Sequence, residues 1–252
     1  MRIDSHHHFW KYTTKEYGWI SDDMAVIRRD FFPAHLAQEI RKARIDGVVS
    51  VQARQTIEET KFLLDFAEKN PFIKGVVGWV PFVEKNVAQQ IESYAGRPKL
   101  RGFRHVVQGE PDDNFILRAD FNEGIKTLHY WGYVYDILIF EKHLPQTVQF
   151  VDRHPQQVFV LDHIAKPVIK DNSFDAWARN IRELAKRPKV FCKVSGMVTE
   201  ANWKTWTPAQ LQRYCDTVLE AFTPSRLMFG SDWPVCLVAS GYLKWVQTVE
   251  AA

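Results

Sequence analysis

His6 and His8 stand two residues apart near the start of the chain, and His105, His163 and Asp232 follow at wide intervals. Imidazoles and a carboxylate are the groups that ester-type hydrolysis needs: a base to take a proton from water, and hydrogen-bonding or cationic groups to steady the developing oxyanion. Each of these residues ends a short β-rich run. His163 closes Val158-Phe159-Val160-Leu161-Asp162, Asp232 follows Leu227-Met228-Phe229-Gly230-Ser231, and Arg104-His105 ends Leu100-Arg101-Gly102-Phe103. Alternate residues of a strand share a face, so His6 and His8 project together while His7 points away. The same rule sends one of Arg104 and His105 inward and the other outward, without fixing which. His35, His129, His143 and His154 fall on or beside helical segments and read as surface or packing residues.

The elements that must position these groups alternate. We count eight strand-like runs, at 2–6, 47–51, 75–80, 100–105, 133–140, 158–163, 190–195 and 227–230, with helical segments between them. Strand and helix in alternation give a parallel sheet. Thr56-Ile57-Glu58-Glu59 has the pattern of a capping box, and Thr207-Pro208 sets a cap residue before proline at a first helical position. Leu211, Tyr214, Cys215, Val218, Leu219 and Phe222 then recur at helical spacing as a stripe expected to face the sheet. At 252 residues the chain matches the roughly 250 that a barrel of eight β/α units needs. The expected fold is therefore α/β, a (β/α)8 TIM barrel spanning 1–252 as one domain. The competing doubly wound sheet would carry Gly-x-Gly-x-x-Gly after its first strand, where this chain has His6-His7-His8. In a barrel the loops after the strands line the catalytic face, so the long loops at 10–32 and 196–208 are candidate lids.

With 46% hydrophobic and 25% charged residues the chain can bury a sizeable core. A net charge of +3 with interspersed signs lacks the basic footprint of nucleic-acid binding. No apolar run suggests a membrane span, and Met1-Arg2-Ile3-Asp4-Ser5 lacks a signal-peptide core, so a cytoplasmic location is expected. Cys192, Cys215 and Cys236 show no Cys-x-x-Cys spacing and read as reduced, packed thiols. Small-molecule partners are expected, and the sequence is compatible with a homo-oligomer.

Four segments, Ile3-Asp4-Ser5-His6-His7-His8-Phe9-Trp10, Arg104-His105-Val106-Val107, Leu161-Asp162-His163-Ile164-Ala165-Lys166-Pro167 and Gly230-Ser231-Asp232-Trp233-Pro234, resemble in order the motifs of the amidohydrolase-related sugar lactonases. The resemblance runs from residue 1 to about 245 and matches His6, His8, His163 and Asp232 to the family's first-strand His-x-His pair, sixth-strand histidine and eighth-strand aspartate. Binuclear amidohydrolases add a bridging Lys or Glu on strand four and a histidine on strand five. Here those strands offer Arg104-His105 and Tyr135-Asp136, so at most one divalent ion, zinc, is expected on His6, His8, His163 and Asp232, and the lactonase branch implies one ion or none. The chain stops at Glu250-Ala251-Ala252, soon after the eighth helix begins and before its relatives usually end, so a shortened last helix is expected.

The resemblance implies hydrolysis of a sugar 1,5- or 1,4-lactone of the L-fuconolactone or L-rhamnonolactone type, part of carbohydrate catabolism. Asp232 then takes the proton of the attacking water and returns it to the ring oxygen. His163 polarises the carbonyl together with His6 and His8, which also bind substrate, and His105 or Arg104 orients a carbonyl or hydroxyl. Arg54, Glu110 and Lys193 are further candidates for substrate binding. Glu110, with Asp112 and Asp113, reads equally as a hydroxyl acceptor or a solvated charge, and Lys193 as a substrate contact, a partner of Asp232 or a buried ion-pair partner. Trp10, Trp19, Trp203, Trp206 and Trp233 either stack on a sugar ring or plug loops. Two alternatives remain within the superfamily: a metal-dependent decarboxylase, and a pyrone dicarboxylate lactonase, which would call for more arginines than Arg54 and Arg104. Serine catalysis is disfavoured because Gly-x-Ser-x-Gly is missing.

Overall fold

Eight short parallel strands form the centre of the protein, and those such as Gly47–Val51 and Ile73–Gly78 are rich in Val and Ile, as suits strands covered on both faces. The computed structural model describes residues 1–252. Strands β1 (Ile3–His7), β2 (Gly47–Val51), β3 (Ile73–Gly78), β4 (Leu100–Val106), β5 (Val134–Leu138), β6 (Phe159–Leu161), β7 (Val190–Val194) and β8 (Leu227–Phe229) lie in chain order in one sheet, each pair parallel. Around them run α1 (Pro33–Ala43), α2 (Ile57–Lys69), α3 (Val87–Glu92), α4 (Ala119–Trp131), α5 (Leu144–Asp152), α6 (Asp175–Ala185), α7 (Met197–Glu200), α8 (Pro208–Phe222) and α9 (Tyr242–Ala251). The fold is a (β/α)8 barrel. No helix is long and apolar enough to cross a membrane.

The barrel closes where the first strand meets the last. The His8 N–H donates to Trp233 O at 2.7 Å and the Asp232 N–H to His6 O at 2.8 Å. Asp4, fully buried, staples the seam: its Oδ1 accepts from the Ser231 N–H at 2.8 Å and its Oδ2 from the Tyr242 hydroxyl at 3.0 Å. The seam therefore carries three of the candidate residues, His6, His8 and Asp232, on one stretch of paired backbone.

Local signals in the sequence translate unevenly. Thr56 Oγ1 accepts the Glu59 N–H at 3.1 Å as a cap should, but the Glu59 carboxylate turns away to the Ala53 N–H and to Arg54. Pro208 opens α8, with Gln210 Oε1 accepting from the Thr207 N–H at 2.9 Å. The expected stripe on α8 is narrower than its spacing implies. Leu211, Tyr214, Val218 and Phe222 are buried while Leu219 is 45% exposed, because α8 leans on α6 and the short α9 packs against α1.

Two histidines outside the catalytic face give the fold a defined acid sensitivity. Burial holds the His7 ring down to about 3 and the His154 ring to about 4, from an ordinary 6.5. His7 Nε2 meets Ser50 Oγ and His154 Nε2 meets Asn122 Oδ1. The unfolded chain takes up these protons first, so stability falls as the pH drops from about 6.5 towards 4. Thermal unfolding across that window checks this; a melting temperature that holds or rises on acidification would contradict it.

Candidate active site

The carboxyl end of the barrel gathers imidazoles around one carboxylate oxygen. His6 Nε2 and His8 Nε2 are 3.2 Å apart, and Asp232 Oδ1 lies 3.8 Å from the first, 3.4 Å from the second and 3.9 Å from His163 Nε2. Each ring is oriented through its other nitrogen. His8 Nδ1 meets Val51 O at 2.8 Å, His163 Nδ1 meets Ser195 Oγ at 2.8 Å, and His6 Nδ1 faces Asp162 Oδ1 at 3.3 Å. Partners of this kind fix the tautomer and leave the Nε2 lone pairs facing the centre.

His163 reaches the centre by an unusual backbone. The chain leaves extended geometry after β6 and runs left-handed through His163, Ile164, Ala165 and Lys166, with φ between 48° and 63°. Non-glycine residues rarely adopt this conformation, and such strain tends to collect at functional sites. Asp232 also has a positive φ, 55°. Gly196 makes the room that His163 needs: at φ +64°, a Cβ there would fall 2.7 Å from His163 Nδ1. Gly196→Ala is therefore expected to cost ~1–3 kcal/mol and to push the ring off Ser195. A denaturation midpoint equal to that of the parent protein would contradict this packing.

Beneath the imidazoles lies a floor of buried charge. Arg104 Nη1 donates to Asp162 Oδ2 at 2.9 Å and meets His6 Nε2 at 3.3 Å, while Nη2 donates to Gln52 O and, at 3.0 Å, to Gln52 Oε1. Lys193 Nζ lies 2.5 Å from Asp136 Oδ2, 2.9 Å from Asp162 Oδ1 and 3.2 Å from His6 Nδ1. Burial raises the Asp136 carboxyl to about 6. For Asp162 burial also pushes upward, but Lys193, His6 and Arg104 outweigh it and hold the carboxyl well below the usual range. At Asp232 burial also pushes upward, and the neighbouring His163, His8 and His6 hold the carboxyl below its usual range. Burial drives the His6 ring well below its ordinary value and takes His163 to about 4, so both are neutral near pH 7.

Not every residue expected at the site arrives there. Arg104 is the inward member of its pair and His105 the outward one, so His105 leaves the catalytic set. Its Nε2 meets Glu110 Oε1 at 2.6 Å, Trp79 Nε1 donates to its Nδ1, and its ring stacks on Phe115. Glu110 is thereby occupied as a partner of His105 rather than as a substrate contact. Arg54 is likewise held away from the cavity, by Glu59 at 2.8 Å and by Glu16. Lys193 proves to be a buried ion-pair partner of Asp136 and Asp162. Asp162, Asp136 and Gln52 are the members of this constellation that spacing alone does not single out, whereas Ser195, which the sequence offers as a hydrogen-bonding residue at a strand tip, meets His163 Nδ1.

Above the cluster opens a cavity of about 430 Å³. His8, Arg104, His163 and Asp232 form its polar end, and Val106, Leu138 and Phe140 part of its apolar wall. Both loops expected as lids contribute, 10–32 through Trp19 and Met24 and 196–208 through Thr199, Glu200 and Trp203. Trp10, Trp206 and Trp233 instead are buried and plug the loops.

The donor set suits one zinc ion. His6, His8 and Asp232 offer three ligand atoms within 4.8 Å of one another, and His163 adds a fourth beside the carboxylate. Tetrahedral coordination at zinc distances has edges of about 3.3 Å, close to the 3.2 and 3.4 Å that separate His8 Nε2 from His6 and Asp232. Lys193 and Arg104 fill the floor with their own positive charge, where a second ion would need ligands.

The Amidohydrolase family profile matches residues 3–252. The chain is 42% identical to an L-fucono-1,5-lactonase of Burkholderia multivorans, over 99% of this chain and 88% of that one. It is 35% identical to an L-fucono-1,5-lactonase of Burkholderia ambifaria, over 96% and 83%. A crystal structure of an amidohydrolase from Burkholderia multivorans with bound zinc superposes with a TM-score of 0.95 at 42% identity, covering 100% of this chain and 90% of that one.

Proposed function

The chain belongs to the amidohydrolase family, and from that premise we propose that it hydrolyses a neutral sugar 1,5- or 1,4-lactone, of the L-fuconolactone or L-rhamnonolactone type, to the aldonic acid. The observation that carries this reading is the convergence of His6, His8 and His163 on Asp232 at the polar end of a largely apolar cavity. The likeness to the two Burkholderia lactonases supports the substrate class.

Asp232 is the base. Its Oδ1 faces the imidazoles, which leaves Oδ2 to take a proton from water as the oxygen attacks the lactone carbonyl. Charge then builds on the carbonyl oxygen, where the Arg104 guanidinium, already directed into the cluster, stabilises it. The proton held on Asp232 passes to the ring oxygen as the carbon–oxygen bond breaks, so one water is consumed and one hydroxy acid released. His6, His8, His163 and Asp232 would hold one zinc ion, which supplies Lewis-acid polarisation of a carbonyl. Lys193, Asp136 and Asp162 fix the tilt of His6 and do not meet the substrate.

The superfamily alternatives fit less well. Arg104 is the sole arginine on the cavity wall, so a pyrone dicarboxylate lacks the paired guanidinium groups that two carboxylates call for. Product analysis separates hydrolysis from decarboxylation. One equivalent of acid per lactone, with the mass of one water gained and no carbon dioxide, is the expected result; carbon dioxide release would favour the lyase. Metal analysis of active protein is expected to give at most one divalent ion per chain, and two stoichiometric ions would contradict the charge arrangement of the floor.

A further inference from the structure

Of the charged side chains on the cavity wall, Arg104 and Asp232 belong to the cluster already described, whereas Lys166 and Glu200 do not. Both are largely withdrawn from solvent, with side chains 16% and 21% exposed, yet Lys166 Nζ and Glu200 Oε1 stand 3.9 Å apart, beyond hydrogen-bond reach. Neither side chain hydrogen-bonds elsewhere in the chain. An ammonium with three donors and a carboxylate with four acceptor sites thus have no hydrogen-bond partner in the chain and face a substrate-sized cavity.

Their backbones tie them to the reacting end. Lys166 is the last of the four left-handed residues that begin with His163. Glu200 ends α7, the four-residue helix that follows Gly196, and Gly196 itself lies against the His163 ring. Pair and imidazole are therefore set in register by the same two turns. The Phe140 ring lies 5.7 Å from Lys166 Nζ, and Trp203 adds a second aromatic wall.

We propose that Lys166 and Glu200 form a hydroxyl-reading subsite that takes two neighbouring hydroxyls of a neutral cyclic polyol, Glu200 accepting from them and Lys166 donating to one. The subsite rests on the lactonase reading and adds what selects the substrate. A ring bearing a carboxylate at this position would satisfy Lys166 but meet Glu200 as a like charge, so the pair favours hydroxylated over carboxylated rings.

The test compares Glu200→Gln and Lys166→Met with the parent enzyme on a polyhydroxylated δ-lactone and on unsubstituted δ-valerolactone. In parallel, calorimetry measures binding of the corresponding polyhydroxylated δ-lactam, which keeps the ring and hydroxyls and resists hydrolysis. Each variant is expected to lose about tenfold or more of the preference for the hydroxylated lactone, carried by KM, and to bind the lactam about tenfold more weakly, as for one charge-assisted hydrogen bond lost. An unchanged preference ratio in both variants, or a parallel fall on both lactones, overturns the subsite. If the parent enzyme hydrolyses neither lactone, the binding arm still decides. Lactam binding that weakens in both variants upholds the subsite while the reaction assignment falls, and a lactam that binds all three proteins alike, or none, overturns the subsite.

Discussion

Asp232→Asn is expected to lower turnover by ~10²–10⁴, the loss typical of a removed general base, with the fold retained. The amide preserves the shape and can still meet the imidazoles, but it cannot take a proton from water. The Asp232 carboxyl lies below the usual carboxylate range, so the base form is fully populated at working pH and the variant removes all of it. Circular dichroism establishes the fold, and initial rates on a sugar lactone establish the loss. Turnover within a factor of a few of the parent enzyme would remove Asp232 from the mechanism.

Lys193→Met is expected to cost about 3–5 kcal/mol in stability, because removing one partner of a buried pair strands the other charge in the interior. Here two carboxylates share that ammonium, Asp136 at 2.5 Å and Asp162 at 2.9 Å. With Lys193 gone, Asp162 keeps Arg104 but Asp136 keeps no ion-pair partner. The double variant Lys193→Met/Asp136→Asn should therefore recover part of the loss, a non-additivity expected of groups in direct contact. Denaturant titration of the parent and variants reads both effects. A single variant within ~0.5 kcal/mol of the parent, the range of an ordinary surface change, would mean that the floor is not a charge-paired unit.

The barrel is legible because strand-like runs alternate with helical segments over about 250 residues, and half of the site because alternate residues of a strand share a face. His6 and His8 follow from alternation alone, and Asp232 from its position after β8. Alternation gives parity but not phase, and in a barrel both faces of a strand are buried, so hydrophobicity could not tell Arg104 from His105. The outward His105 is as buried as a site residue because it sits beneath Phe115 and Phe121. Asp162 and His163 defeat the rule differently. Neighbours on a strand cannot share a face, yet both reach His6, since the chain turns left-handed at His163, and four non-glycine residues in that conformation have no sequence signature. The Lys193–Asp136 pair joins β7 to β5 across the barrel interior, a contact that no local spacing encodes. Arg54 was misread because the capping pattern of Thr56 and Glu59 hid that the Glu59 carboxylate would capture it.

The claim that this cavity serves a neutral sugar lactone is tested most directly by proton release at fixed pH, with neutral six-carbon aldonolactones and 2-pyrone-4,6-dicarboxylate assayed side by side at equal concentration. The geometry of the site, with one arginine on the cavity wall and Glu200 beside Lys166, predicts rapid acidification with an aldonolactone and little with the dicarboxylate. A clear preference for the dicarboxylate would contradict it.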